Sequence, residues 1–409
     1  MSDRARRTPA AAGPDSRRYL IAANLLCLHG QWVTLLAPMY VGLVVDRLGF
    51  SETAAGYLSG GAGVAGVTAT VLLGALLVRI DRQLVAFAML ALAVATNLGS
   101  IGVTDGAMLM PLRGLEAAAD AVLYGLGLAY LAATPSAERS FAIQFAAVVI
   151  QQAIGYWITP PLVEWGGVPA FYLSAACFAP VTFWSIRQLP HAAGVPQSGT
   201  VRASGRSPIM WMGMGAFALF SVYALSIFTF SERIGAALGL SPARVGLALG
   251  VTNLVGLAGS VISPWLVMRF SRGVALSVGT LAGTVVCLGL GLGQSESSFW
   301  VAMSGFSIVW SANSIVLLGI LARIDPAGSS TVLAQAFGNM AGYGAVLLAS
   351  GLLALWGHGI VPILAAIGLL AALALGLVTL ARLKRHQSIT AAAAASRPDT
   401  TKEAVFLPR

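Results

Sequence analysis

An apolar run of about 20 residues or more recurs twelve times along the chain, and nothing else in the sequence narrows the possible folds as far. A hydrocarbon core of roughly 30 Å is crossed by about 20 residues of helix rising 1.5 Å each. The runs lie near 19–45, 52–78, 84–104, 106–133, 141–163 and 168–187, then near 210–231, 242–268, 274–294, 298–322, 328–356 and 359–381. Lipid offers the backbone no hydrogen bonds, so segments of this length cross it as helices. The expected fold is an all-α polytopic membrane protein of twelve transmembrane helices. The first run is too long for a signal-peptide core and has no clear cleavage site, so it is kept as a mature helix.

Composition agrees. Only 10% of the residues are charged, against about 25% in soluble domains. So few charges cannot cover a soluble surface, and the 47 glycines suit close helix contacts in lipid. The net charge of +9 is distributed as a topology signal. With the N-terminus placed in the cytoplasm, twenty of the 24 Lys and Arg residues fall on the cytoplasmic face. Arg47, Arg233 and Arg244 fall on the other face, and Arg113 lies inside a span. This is a positive-inside pattern, so nucleic acid is not needed to explain the charge. The expectation is a multi-pass protein of the cell's inner (plasma) membrane, with both termini cytoplasmic, acting as a monomer. Cys27, Cys177 and Cys287 lie far apart in apolar runs and suggest neither a disulfide framework nor a metal site. There is no phosphate-binding Gly-x4-Gly-Lys-Ser/Thr loop, no nucleophile–base pair and no sizeable soluble domain. An enzyme is therefore not expected, and neither is a cofactor.

The longest polar stretch between runs, 188–209, carries Pro190, Pro196, Gly199, Gly205 and Pro208 and divides the runs into six and six. The expected organisation is a cytoplasmic tail (1–18), a six-helix bundle (19–187), a cytoplasmic linker (188–209), a second bundle (210–385) and a disordered tail (386–409). The halves repeat. Residues 48–82 laid over 238–272 without gaps share ten identities, among them Leu48/Leu238, Gly49/Gly239, Ser51/Ser241, Gly56/Gly246, Gly60/Gly250, Gly66/Gly256, Arg79/Arg269 and Arg82/Arg272. Ser51 and Ser241 sit where an N-cap would start a helix. The glycine pairs admit a neighbouring backbone, either for packing alone or for packing between helices that must slide. Two parallel halves place a site near the midplane between them, with alternating access by rocking.

Three further segments resemble motifs of the major facilitator superfamily, and the resemblance covers essentially 19–385. The loop after the second span runs from Gly74 through Val78, Arg79 and Asp81 to Arg82, against a family pattern of G-x-x-x-D-R-x-G-R-R. Val78 stands in the usual Asp position and Asp81 comes three residues late, so the family's latch is absent or displaced. The fourth span has Arg113, Glu116 and Ala117 against R-x-x-Q-G. The fifth has Gly155, Thr159 and Pro160 against the G-x-x-x-G-P of antiporters. The resemblance implies a secondary transporter of a small organic solute, with the first, fourth, seventh and tenth spans around the pathway. Gly74, Arg79, Asp81, Arg82, Arg269 and Arg272 become the expected conformational loop motif.

Ionisable groups inside a span cost at least about 2.5–3.5 kcal/mol each, so they point to function. Arg113, Glu116 and Asp120 lie at i, i+3 and i+7, on one face of the fourth span, while the matching positions of the tenth are uncharged. In one reading Asp120 or Glu116 takes up and releases a proton, and Arg113 binds a substrate carboxylate or holds Glu116. In the other, Arg113 and Glu116 form a fixed structural pair. His29, mid-way along the first span, is a further proton carrier or a hydrogen-bonding partner for a neighbouring helix. Gln151, Gln152, Tyr223, Trp310, Asn313 and Asn339 are candidates to line the substrate cavity, each with an interhelical hydrogen bond as the plainer alternative. Glu232 and Arg233, at the outer end of the seventh span, suggest a gate pair. Kinks are expected at Pro38, Pro111, Pro160, Pro161 and Pro264. The expected function is proton-coupled transport, of an organic anion if Arg113 faces the substrate. The alternatives are a drug or metabolite efflux antiporter and a non-transporting membrane receptor or scaffold.

Overall fold

The computed structural model describes residues 13–76, 81–191, 207–325 and 329–395, which are helices and short connections. Among them, ten helical stretches are long and apolar enough to cross a membrane. Two local breaks reconcile ten with twelve. The stretch Arg139–Gln188 has 50 residues, about 75 Å of helix, which is too long for one crossing. It is interrupted at Gly167, where φ of 63° and ψ of −160° cannot be part of a helix. The first run, in turn, is three shorter helices, α1 (Arg17–His29), α2 (Trp32–Leu35) and α3 (Ala37–Leu48).

Proline and glycine explain the breaks in the first run. Pro38 has no N–H to give Thr34 and its ring crowds that carbonyl, so the helix cannot run through Leu36. Gly30 ends α1 where a Cβ would overlap the backbone carbonyl of Asp120. The other elements are α4 (Glu52–Leu76), α5 (Arg82–Ser100), α6 (Gly106–Ala132), α7 (Ala137–Ala176), α8 (Ala179–Gln188), α9 (Pro208–Ala237), α10 (Pro242–Val255), α11 (Leu257–Arg269), α12 (Arg272–Leu292), α13 (Glu296–Ile324), α14 (Ser329–Trp356) and α15 (Ile360–Ala395). Pro111 and Pro264 lie inside α6 and α11, and Pro160 and Pro161 inside the part of α7 that precedes its break at Gly167. A separate break falls at Gly256, between α10 and α11. Helix α15 continues ten residues beyond the expected end at 385, through the alanine run, the strongest helix-forming residue type. Residues 1–12 and 396–409, most of the linker and Arg79 lie outside the described residues.

The internal repeat builds the same turn twice. Gly49 closes α3 at φ 72° and Gly239 follows α9 at φ 78°, left-handed values that glycine adopts without strain. Two residues on, Ser51 accepts a hydrogen bond from the Ala54 amide and Ser241 one from the Arg244 amide, capping α4 and α10. In the first half α6 packs against α1, α4 and α5; in the second α9 packs against α13, α14 and α15.

Between the halves α4 lies along α14, α10 along α7, and α3 against α9. The repeated glycines form two of these seams. Gly56, Gly60 and Gly63 meet Ser350, Leu347 and Tyr343, while Gly246 and Gly250 meet Tyr156, Pro160 and Trp157. Both seams begin at the face opposite the arginine-rich one and run to about mid-length. Beyond them Leu72 on α4 and Met268 on α11 are exposed. At the closed face Arg233 donates to both carboxylate oxygens of Asp46 at 2.9 and 3.0 Å and to Glu232 at 2.7 and 2.9 Å, while His358 pairs with Glu52 at 2.6 Å. The Arg233–Asp46 and His358–Glu52 pairs join the two halves and tie them together at that face.

Candidate functional site

Helix α6 carries the buried charge. Its N-cap Asp105 accepts from the Ala107 amide, and the chain then runs unbroken past Pro111. Arg113 and Glu116, one turn apart, ion-pair at 2.7 Å with almost no exposure. The guanidinium also donates to Asn97 Oδ1 at 3.2 Å and lies between the Tyr40 and Tyr172 rings, 5.2 and 5.4 Å from their centroids. Those two phenols meet at 3.2 Å. Arg113 thus has a carboxylate, an amide and two aromatic faces, all from α3, α5, α6 and α7 of one half. This geometry supplies a partner for Arg113 as the holder of Glu116.

That arrangement makes a stability prediction. Arg113→Leu leaves Glu116 buried without its counter-charge and is expected to cost about 3–5 kcal/mol, with the double variant Arg113→Leu/Glu116→Leu distinctly milder. Thermal unfolding of purified protein in detergent checks this. A double variant no better than the single would show that the pair is not the reason for the loss.

Asp120 lies one turn beyond Glu116 and faces α1. Its Oδ1 is 3.9 Å from His29 Nε2, with Asp120 3% and His29 4% exposed. His29 Nδ1 is 2.8 Å from Thr182 Oγ1 on α8, and Phe178 packs edge-on to the imidazole. The Asp120 backbone is fixed against Gly30, where α1 ends. Two buried carboxylates, Glu116 and Asp120, therefore share one buried guanidinium. Neutrality in this low-dielectric interior calls for one proton on the cluster of Glu116, Asp120 and Arg113, which His29 adjoins.

The remaining candidates separate by location. Gln151 and Gln152 on α7 hold the broken first run: Gln151 Nε2 donates to Leu28 O at 2.7 Å, and Gln152 Nε2 to Leu35 O at 3.3 Å and Tyr156 Oη at 3.0 Å. Trp310 is half-buried against Phe228 and Phe306, with ring centroids 5.5 Å away in each case. Tyr223 and Asn313 are completely buried inside the second half. Tyr223 packs at Gly283 and Asn313 at Gly279, both on α12. Asn339 accepts from Gln335 at 3.2 Å near the start of α14.

The loop residues also separate. Gly74 lies in the last turn of α4. Asp81 caps α5, accepting from the Gln83 and Leu84 amides, and pairs with His191 at 3.1 Å within the same half. Its slight burial, which opposes ionisation, is outweighed by these partners, which hold its carboxyl below the usual range. Arg82 opens α5, Arg269 ends α11 over the Phe270 ring, and Arg272 opens α12.

The sequence matches the Major Facilitator Superfamily over residues 22–343. The chain belongs to that family. It is a multi-pass membrane transporter, not an enzyme. No curated protein matches the sequence. Among solved structures, a D-xylose–proton symporter superposes with a TM-score of 0.71 at 15% identity, over 88% of this chain and 96% of its own. The nucleoside transporter NupG gives 0.69 at 12%, over 89% and 98%. The inward-open xylose transporter XylE from E. coli gives 0.69 at 14%, over 87% and 94%. At such identities the likeness is one of fold.

Several residues that shape this transporter's site gave no signal in the sequence. Tyr40, Tyr172 and Asn97 enclose Arg113 from three different helices, and Thr182 reaches His29 across 153 positions. Each sits in an apolar run where a single polar or aromatic residue is unremarkable. Only the i, i+3, i+7 spacing on α6 could have prompted a search for their partners.

Proposed function

We propose that this chain is a proton-coupled secondary transporter of a small, neutral, hydrogen-bonding solute, with Asp120 and His29 as the proton site. The carrying observation is the buried Asp120 carboxylate, which faces a histidine across 3.9 Å while Arg113, the guanidinium on the same helix face, is held by Glu116. A neutral solute is favoured because Arg113 already has its counter-charge, so a substrate carboxylate would have to displace Glu116. D-xylose and nucleosides, the solutes named for two of the similar structures, are uncharged and rich in hydroxyls. Trp310, half-buried and edged by Phe228 and Phe306, gives such a solute a flat aromatic surface.

In this reading the arginine-rich face and both termini are cytoplasmic, the protein works as a monomer in the plasma membrane, and the face tied by Arg233–Asp46 and His358–Glu52 is the outer one. Proton binding to the Asp120–His29 pair neutralises the interior and lets the halves rock about the α4–α14 and α7–α10 seams.

The test uses proteoliposomes with a trapped pH-sensitive dye, screened first with pools of sugars and nucleosides and then with organic acids. Solute-dependent proton movement with a neutral pool is expected. Movement with acids alone would overturn the neutral-solute assignment. Solute uptake with no proton movement from any pool would overturn the coupling.

A further inference from the structure

We infer that Thr182, on α8, sets which nitrogen of His29 carries the proton and so turns a bare Nε2 toward Asp120. The consequence for transport rests on the proton-coupled reading; the tautomer itself does not.

Thr182 is almost wholly buried, and its Oγ1 lies 2.8 Å from His29 Nδ1. The same hydroxyl donates to the Phe178 carbonyl, one turn back, at 2.9 Å. A hydroxyl has one proton, and with it committed to Phe178 only lone pairs face the ring. Nδ1 must therefore bear the N–H. In a neutral imidazole the other nitrogen is then unprotonated, and that nitrogen is the one 3.9 Å from Asp120 Oδ1. Oδ1 itself has no hydrogen-bond partner among the described residues. An acceptor on one side and a protonatable oxygen on the other make a site for one shared proton.

The step balances simply. A proton leaves Asp120 Oδ1 and bonds to His29 Nε2, once the gap closes or a water bridges it. A carboxylate and an imidazolium result, the latter keeping its Nδ1–H on Thr182. Return of the proton restores the neutral pair.

Among the described residues, the charged groups that face the pair come from α6. α6 presents Asp120, Glu116 and Arg113; Glu116 pairs with Arg113 and also adjoins the Asp120 carboxyl. It also presents Tyr124, whose backbone carbonyl receives the Cys27 thiol of α1. α7 presents the neutral Gln151, bonded to Leu28 O. α8 presents Thr182 and Phe178, while its Arg187 lies over Phe183. Thr182 is therefore a positioning residue, acting through His29 and not on the solute.

The decisive measurement is 15N NMR of full-length protein in nanodiscs, labelled at its four histidines, with His29→Gln identifying the His29 signals. A protonated Nδ1 and a pyridine-type Nε2 at neutral pH are expected in wild type and in Thr182→Ser. Thr182→Val should lose that preference. Its pH profile for uptake should move to lower pH by about one unit, the loss of one hydrogen bond to the imidazolium, with the maximal rate at acid pH kept. Thr182→Ser should keep the wild-type profile. A wild-type His29 protonated on Nε2, or an unchanged tautomer in Thr182→Val, would overturn the assignment. Uptake by wild type that ignores pH would instead sink the proton-coupled reading, while the NMR result would still decide the tautomer.

Discussion

Asp120→Asn is expected to abolish proton-driven accumulation while leaving solute exchange intact. Asparagine copies the shape of a protonated aspartate and cannot ionise, so the variant mimics one half of the cycle. For one coupled proton, a one-unit pH gradient supports about tenfold accumulation, because one unit is worth 1.36 kcal/mol. The variant should relax to equal concentrations on both sides. Counterflow, which exchanges labelled for unlabelled solute without net proton movement, should persist. Tenfold accumulation in the variant would remove Asp120 from the coupling path. Attention would then pass to Glu116, but Glu116→Gln also strips Arg113 of its counter-charge. Its transport must therefore be compared with its thermal stability before any loss is assigned to coupling. The expected contrast between the two carboxylates follows from geometry: Glu116 touches an arginine at 2.7 Å, and Asp120 faces a histidine at 3.9 Å.

The sequence made the architecture legible because lipid leaves few choices. A run of 20 apolar residues must be a helix, and the repeat Leu48-Gly49-x-Ser51 and Leu238-Gly239-x-Ser241 spells out a left-handed turn followed by an N-cap wherever it occurs. Both turns form as the residues dictate. The helix breaks were harder to read. Pro38 interrupts the first run while Pro111 stays within an unbroken α6. The difference lies in the surroundings: near Pro38, Gln151 and Gln152 from α7 satisfy the exposed carbonyls of Leu28 and Leu35. A helix can afford to open where a neighbour supplies donors, and the neighbour is far away in sequence. The same limit applies to the site. Spacing on α6 placed Arg113, Glu116 and Asp120 on one face, yet it could not say that Tyr40 and Tyr172 enclose the first of them and His29 meets the last.

Filling the glycine seam is expected to drive the transporter out of the closed-face state. A Cβ at Gly246 would overlap the backbone carbonyl of Tyr156, and one at Gly56 would overlap Ser350 Oγ and crowd the Phe230 ring. Backbone cannot step aside as a flexible side-chain end can. Overpacking of this kind costs typically 1–3 kcal/mol. That cost falls only on the state in which α10 lies on α7 and α4 on α14, and a bias of that size shifts a two-state equilibrium by roughly 5- to 150-fold. Spin labels at Arg47 and Ala237, exposed residues at the closed face on α3 and α9, report the change as a distance. In a cysteine-free background, Gly246→Leu and Gly56→Leu should both lengthen it, since the repeat puts them at equivalent seams. Gly344→Leu on α14 should not, because a Cβ there meets nothing within 4 Å. Transport should fall in both seam variants, since a cycle needs each state in turn. An unchanged distance with normal transport in Gly246→Leu would mean that the seam separates at no cost, and that closure of this face depends on the Arg233–Asp46 and His358–Glu52 pairs instead.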